Sequence, residues 1–271
     1  MILTHRDQAI FQDLQSYGLH STRNLAQRHF PHVAMTTILR RLRALERSGY
    51  ITRITGLDGG GNAWCLSKSS ASRLAPQACK IHFPRFILDH DLKLVDLRLR
   101  LERAGIAHSW RPEHEIRAKV AEKHGLRRIG ERTIPDGLMG VETEGLTETI
   151  AVELELSIKN QRRYQRIFRD YGSKKNLWGF WYVVQSQSIG RQLMKAAKDS
   201  GHLGQSPYFL WSLLADVMAD PLNATVHSYR DSYKLHELWK PEKSESPAHT
   251  PAQGVSSSGE KAEPKANELT V

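Results

Sequence analysis

Three acidic side chains fall where a divalent cation would be held. Asp136 lies in Ile134-Pro-Asp-Gly, and the run Ile150-Ala-Val-Glu-Leu-Glu-Leu-Ser-Ile-Lys contains Glu153, Glu155 and Lys159. Read as a strand, this run sends Val152, Leu154 and Leu156 to one side and Glu153 and Glu155 to the other, because strand side chains alternate. Two carboxylates so close in a half-buried sheet are unfavourable unless a cation neutralises them. Asp136, on a neighbouring strand, supplies a third oxygen. Hard oxygen ligands select Mg2+ or Mn2+ over a soft metal, and such an ion would polarise a phosphodiester and activate its nucleophile. Lys159, at even spacing from both glutamates, reaches the same face if the strand continues, where it would orient a water or stabilise the pentavalent phosphate.

The elements that must position these groups can be read from periodicity. Asp89 to Ala104 is an amphipathic helix with Leu92, Val95, Leu99 and Ala104 on one side and Arg98, Arg100 and Arg103 around the other. Strand-like runs follow at Ser109 to Ile116, Thr133 to Val141 and Glu148 to Ser157. A basic helix spans Asn160 to Tyr171, and the almost wholly apolar Gly179 to Gln185 reads as a buried strand. Ile189 to Ser200 is helical, and Tyr208 to Met218 fits strand or helix equally. Tyr164 and Tyr171 suggest a tyrosine nucleophile, but the simpler reading is that they pack the helix on the sheet.

Ahead of this region, Arg6 to Ser16, the stretch after Ser21 and Met35 to Ser48 read as three helices. The third places Ile38, Leu42 and Leu45 on one stripe and leaves Thr36, Thr37, Arg40, Arg41, Arg43 and Arg47 outside. Tyr50 to Thr55 and Ala63 to Leu66 form a hairpin around a glycine-rich tip. This is the layout of a winged helix-turn-helix. Its recognition helix would offer Thr36, Thr37, Arg40, Arg41 and Arg43 to DNA, with Arg53 on the wing touching a flanking phosphate. The expected organisation is a DNA-binding domain over 1–68, a linker over 69–86, a second domain over 87–240 and a disordered tail over 241–271, in a mixed α/β (α+β) chain.

Composition supports a polyanionic partner. The 39 Lys and Arg against 29 Asp and Glu leave a formal charge of +10. No run of ~18 apolar residues would span a bilayer and no apolar leader follows the first Met, so a cytoplasmic protein without membrane insertion is expected. The two cysteines, Cys65 and Cys79, form no Cys-x-x-Cys, and the 13 histidines are scattered singly, which supports neither a disulfide framework nor a zinc site. Arg127, Arg128 and Arg132, before the acidic strand, would face the DNA backbone or water.

The order helix, three strands, helix, strand, with Asp136, Glu153 and Lys159, resembles the PD-(D/E)xK phosphodiesterases. The lysine departs from their pattern, following as Glu-x-Glu-x-x-x-Lys. A wider match runs from the winged helix through Asp89-His-Asp-Leu, Trp110-Arg-Pro-Glu, Ile134-Pro-Asp-Gly and Glu153-Leu-Glu to Lys159 and Tyr164. It is similar to the replication-relaxation family and, within it, to the MobC-type relaxases of mobilisable plasmids. That resemblance implies nicking of double-stranded plasmid DNA at an origin of transfer. It also implies Glu113 as a further catalytic acid, and an accessory mobilisation protein and a coupling protein as partners. A homodimer is compatible with it. The competing expectations are a non-catalytic regulator of transcription or plasmid replication and a restriction-type endonuclease.

Overall fold

In the computed structural model, which describes residues 2–57, 60–74, 80–125 and 132–241, the chain opens with a capped helix. Thr4 and Asp7 exchange backbone and side-chain hydrogen bonds in a capping box at the start of α1 (His5–Tyr17). Gly18, at φ +83°, ends that helix and turns the chain into the short strand β1 (Leu19–Ser21). Ser21 then caps α2 (Thr22–His29), its hydroxyl accepting from the Asn24 N–H at 3.1 Å. In α3 (Met35–Arg47) the expected stripe Ile38, Leu42 and Leu45 is buried. Next come β2 (Ile51–Ile54) and β3 (Ala63–Leu66), and β3 pairs antiparallel with both β1 and β2. Ile10, Leu14, Leu25, Leu42 and Trp64 form the core of this unit.

The stretch expected as a linker is partly structured. It contains α4 (Lys68–Leu74), and Lys80 Nζ lies 2.8 Å from Asp91 Oδ2. Residues 75–79, with Cys79, lie outside the described residues, as do 242–271, where the tail was expected. Helix α5 (Arg85–Arg103) begins before Asp89 and docks the N-terminal unit: its Leu88, Val95 and Leu99 pack on Tyr17, Leu19, Ala63 and Cys65.

Arg98, expected on the outer face of this helix, is buried there. Its guanidinium donates to Glu102 Oε1 at 2.7 Å and to Ser16 O and Oγ at 2.9 Å each, and it lies 3.7 Å over the Tyr17 ring. A buried cation is tolerated when paired and hydrogen-bonded, and its partners on α1 come from a distant part of the chain.

The remaining elements form three layers. They are β4 (Ser109–Pro112), α6 (Glu113–His124), β5 (Gly137–Thr143), β6 (Leu146–Glu155), α7 (Gln161–Gly172), β7 (Gly179–Val184), α8 (Gln187–Asp199), β8 (Tyr208–Leu213), α9 (Leu214–Ala219), β9 (Thr225–His227), β10 (Ser232–Lys234) and α10 (Leu235–Leu238). The seven strands run in the order β10-β9-β8-β7-β6-β5-β4, with β6, β7 and β8 parallel and the other pairings antiparallel. One face, with Ile150, Val152, Leu154 and Trp181, is covered by Leu97 and Leu101 of α5 and by α9. The other, with Ala151, Phe180, Tyr182 and Phe209, is covered by α6, α7 and α8. The chain is therefore a mixed α/β protein with helices on both sides of a mixed sheet.

Three expected strands change their limits. Ser109 to Ile116 stops at Pro112 and becomes α6, because Glu113 and Glu115 in its first turn complement the helix dipole. Thr133 to Val141 begins only at Gly137, which leaves Asp136 just ahead of β5. Glu148 to Ser157 ends at Glu155. Tyr208 to Met218 is both strand and helix, β8 then α9.

Candidate active site and nucleic-acid interface

Asp136 and Glu153 fall where β5 begins beside β6. The last ladder pair is Gly137 with Val152, so Asp136 and Glu153 stand one step beyond it. There the Asp136 carboxylate takes the place of a strand partner: its Oδ2 accepts the Leu154 N–H at 2.8 Å. His90, from α5, sits on the same point, with Nε2 3.0 Å from Leu154 O and 3.3 Å from Asp136 Oδ2. Burial works against a charged imidazole here, but hydrogen bonds to Asp136 and Asp91 outweigh it and raise the His90 pKa to about 10. These carboxylate neighbours favour the charged imidazole, which can donate from both nitrogens.

Glu153 and Glu155 share the face opposite Val152 and Leu154, as alternation requires. Glu153 accepts from the Tyr171 hydroxyl. Burial and the Asp136 charge push the Glu153 carboxyl up to about 8, against the opposing pull of Tyr171 and Lys159. Glu155 is buried, with Lys159 Nζ 2.6 Å from its Oε2. Lys159 does not sit on a continued strand. It lies in the loop after β6, where its N–H donates to the Tyr164 hydroxyl at 3.0 Å, and that loop returns its ammonium to Glu155.

Glu113 heads α6, and its N–H donates to Asp136 O at 3.1 Å. Its carboxylate turns along the helix to Arg117, with Nη2 2.7 Å away. Tyr164 and Tyr171 are fully buried, and Tyr171 stacks on Phe180 at 4.6 Å, so both pack α7 on the sheet. Asp136 and Glu153 thus occupy neighbouring strand positions, Asp136 held by His90 on the α5 side and Glu153 by Tyr171 on the α7 side, while Glu155 is bound to Lys159 and Glu113 is drawn away. Among the described residues no group of three or more His, Cys, Asp or Glu is arranged to hold a metal ion. Asp136 and Glu153 offer hard carboxyl oxygens, which suit Mg2+ or Mn2+ with water completing the shell once Glu153 has lost the proton that burial and the Asp136 charge favour.

Sequence reading gives His90 no role and weighs Tyr171 as nucleophile or packing residue, not as a partner of Glu153. His90 depends on Leu154, 64 residues away, and no local pattern signals such a contact.

The second candidate surface is on the N-terminal unit. Thr36, Thr37, Arg40 and Arg43 of α3 are exposed. Thr36, Arg40, Arg43 and Arg47 line an open groove with Arg53, whose Nε is 3.4 Å from Glu46 Oε1. Arg41 faces elsewhere: its guanidinium is paired with the buried Asp7 and donates to Ile2 O at 3.2 Å. Residues 58–59 of the hairpin tip and 126–131, with Arg127 and Arg128, lie outside the described residues.

No family model matches the chain, and no curated protein matches it. Among the described residues, no helix is long and apolar enough to cross a membrane.

Proposed function

We propose that this chain is a DNA relaxase of plasmid mobilisation. On this reading, a winged helix-turn-helix binds double-stranded DNA at an origin of transfer and a PD-(D/E)xK nuclease-like domain cuts one strand. The observation that carries the reading is the register that sets Asp136 and Glu153 side by side one step beyond the Gly137–Val152 pair, with His90 against Asp136 and Lys159 against Glu155. Two further features support it. Helix α5, strands β4, β5 and β6, helix α7 and strand β7 follow the core order of those phosphodiesterases, with α6 inserted after the first strand. The open cationic groove of α3, with the β2–β3 hairpin beside it, fits a duplex backbone.

Asp136 and Glu153 would hold Mg2+ or Mn2+, which when bound would polarise the scissile phosphodiester. Lys159, paired with Glu155 in this structure, would turn to that phosphate. Arg40, Arg43 and Arg53 hold phosphates, and Thr36 and Thr37 face bases. An accessory mobilisation protein, a coupling protein and a second copy of the chain are the partners this role calls for, and the cytoplasm its compartment.

The test incubates supercoiled plasmid, with and without a candidate origin, with wild type and with an Asp136→Ala/Glu153→Ala variant, in Mg2+, Mn2+ or EDTA. Open-circle product that needs origin, metal and both acids is expected. Double-strand cuts would instead indicate a restriction-type enzyme. A non-catalytic regulator is the second reading, favoured by the pairing of Glu113 with Arg117 and of Glu155 with Lys159. Equal DNA binding by both proteins, without nicking even when cell extract is added, would establish it.

A further inference from the structure

At the end of the sheet away from the acids, aromatic side chains gather around a cavity of about 440 Å³, within the size range of small-ligand sites. Trp178, Tyr208, Tyr229 and Tyr233 line it, and the three tyrosines remain 44%, 49% and 37% exposed. Single exposed aromatics are ordinary, but a cluster around one concavity marks a binding surface. Trp178 and Tyr208 meet edge to face at 5.3 Å, which holds the wall in place. The turn carrying Tyr229 and Arg230 is fixed by Ser228, whose hydroxyl donates to Asp231 O at 3.0 Å and accepts from the Asp231 N–H at 3.1 Å.

The polar groups at the rim narrow the ligand class. The Arg230 guanidinium lies 5.8 Å over the Tyr229 ring, and Asp231 accepts from the Tyr233 hydroxyl at 3.3 Å. Rings that stack, a cation beside them and a carboxylate that accepts from an amino group suit a nucleobase with its phosphate. A chain of net charge +10 draws such polyanions in. We propose that this cavity binds an unstacked nucleobase, through stacking on Tyr229 and Tyr233, with Arg230 on the adjoining phosphate.

The cavity begins at Trp178, beside the first residue of β7, while Glu155 pairs with Val184 at the other end of that strand. From Trp178 to Val184 at about 3.3 Å per residue the two sites lie roughly 20 Å apart along the strand. The inference does not rest on cleavage at the acids, and is tested without it.

The full-length chain is titrated, in EDTA, against a short fluorescein-labelled single DNA strand and against an abasic strand of equal length, with anisotropy as readout. The comparison matters because the groove at α3 also holds phosphates. Wild type is expected to bind the base-bearing strand about tenfold more tightly. A Tyr229→Ala/Tyr233→Ala variant should lose that difference, and Tyr229→Phe/Tyr233→Phe should keep it. Competition with dAMP identifies the source: displacement by dAMP assigns the cavity to a free nucleotide, and displacement only by base-bearing oligonucleotide assigns it to a single strand. Equal affinity of wild type for base-bearing and abasic strands would overturn the proposal, as would a difference that survives loss of both rings.

Discussion

Asp136 and His90 close the two backbone groups of a single residue: the Leu154 N–H ends on the Asp136 carboxylate, the Leu154 C=O on the His90 imidazole, and the two side chains lie 3.3 Å apart. The start of β5 is thereby tied to α5 through β6. Asp136→Asn should leave the fold intact, because the amide oxygen still accepts the Leu154 N–H, yet it removes the carboxylate charge. On the proposed reading, nicking is expected to fall about 10²-fold or more, with duplex affinity unchanged. His90→Gln, which still donates to Leu154, should retain more activity. Gel conversion of supercoiled plasmid, beside anisotropy on the same duplex, measures both.

The arginines of α3 should divide into two groups. Arg40→Ala and Arg43→Ala should weaken duplex binding and each lower the slope of log affinity against log salt by about one, without affecting melting. Arg41→Ala should instead destabilise the protein by about 1 to 2 kcal/mol, because it leaves the buried Asp7 carboxylate without its cation, held only by Thr4. Thermal melts and salt titrations of the three variants distinguish the groups; an Arg41→Ala protein with wild-type melting would refute the assignment.

Arg98 holds the N-terminal unit to α5 through Ser16 and Tyr17. Arg98→Ala should loosen that joint before it unfolds either part. Hydrogen exchange is expected to rise at β1 and at the end of α1, while β6 and β7 stay protected. Uniform loss of protection across the chain would contradict this.

The acid stability limb should carry the signature of His20. It is fully buried, with Nε2 3.9 Å from Asp13 Oδ2, and burial, opposed by the Asp13 charge, lowers its pKa from 6.5 to about 3. Between those values the unfolded chain binds a proton that the folded chain refuses. Stability from this group is therefore complete above the unfolded value and falls on acidification by about 1.4 kcal/mol per pH unit. His20→Leu should flatten that limb, so urea midpoints of wild type and variant should diverge steadily as the pH drops from about 6.5 to 4. Parallel curves would show that His20 does not titrate in this way.

The parts legible in sequence were those with a local cause. The stripe of α3, the helix that starts after Ser21 and the alternation that puts Glu153 and Glu155 on one face all depend on neighbours within a few residues. Strands β1, β9 and β10 have three residues each, too few to display a period. Helix α6 buries only Ile116 and Val120, so its apolar stripe is thin, and the start of it was read as strand. Arg98 and His90 defeat a sequence reading for another reason. Their environment is set by Ser16 and Leu154, 82 and 64 residues distant, and helix periodicity simply assigns a charged residue to water.

One helix joins the two candidate surfaces, since α5 presents His90 to the acids and Arg98 to the N-terminal unit. Eight residues at about 1.5 Å each place these anchors only about 12 Å apart on a stiff rod. On the proposed reading the protein is then a ruler as much as a blade: the bases read and the bond cut stand at a set spacing. Inserting half a helical turn of DNA between them should abolish nicking instead of moving it.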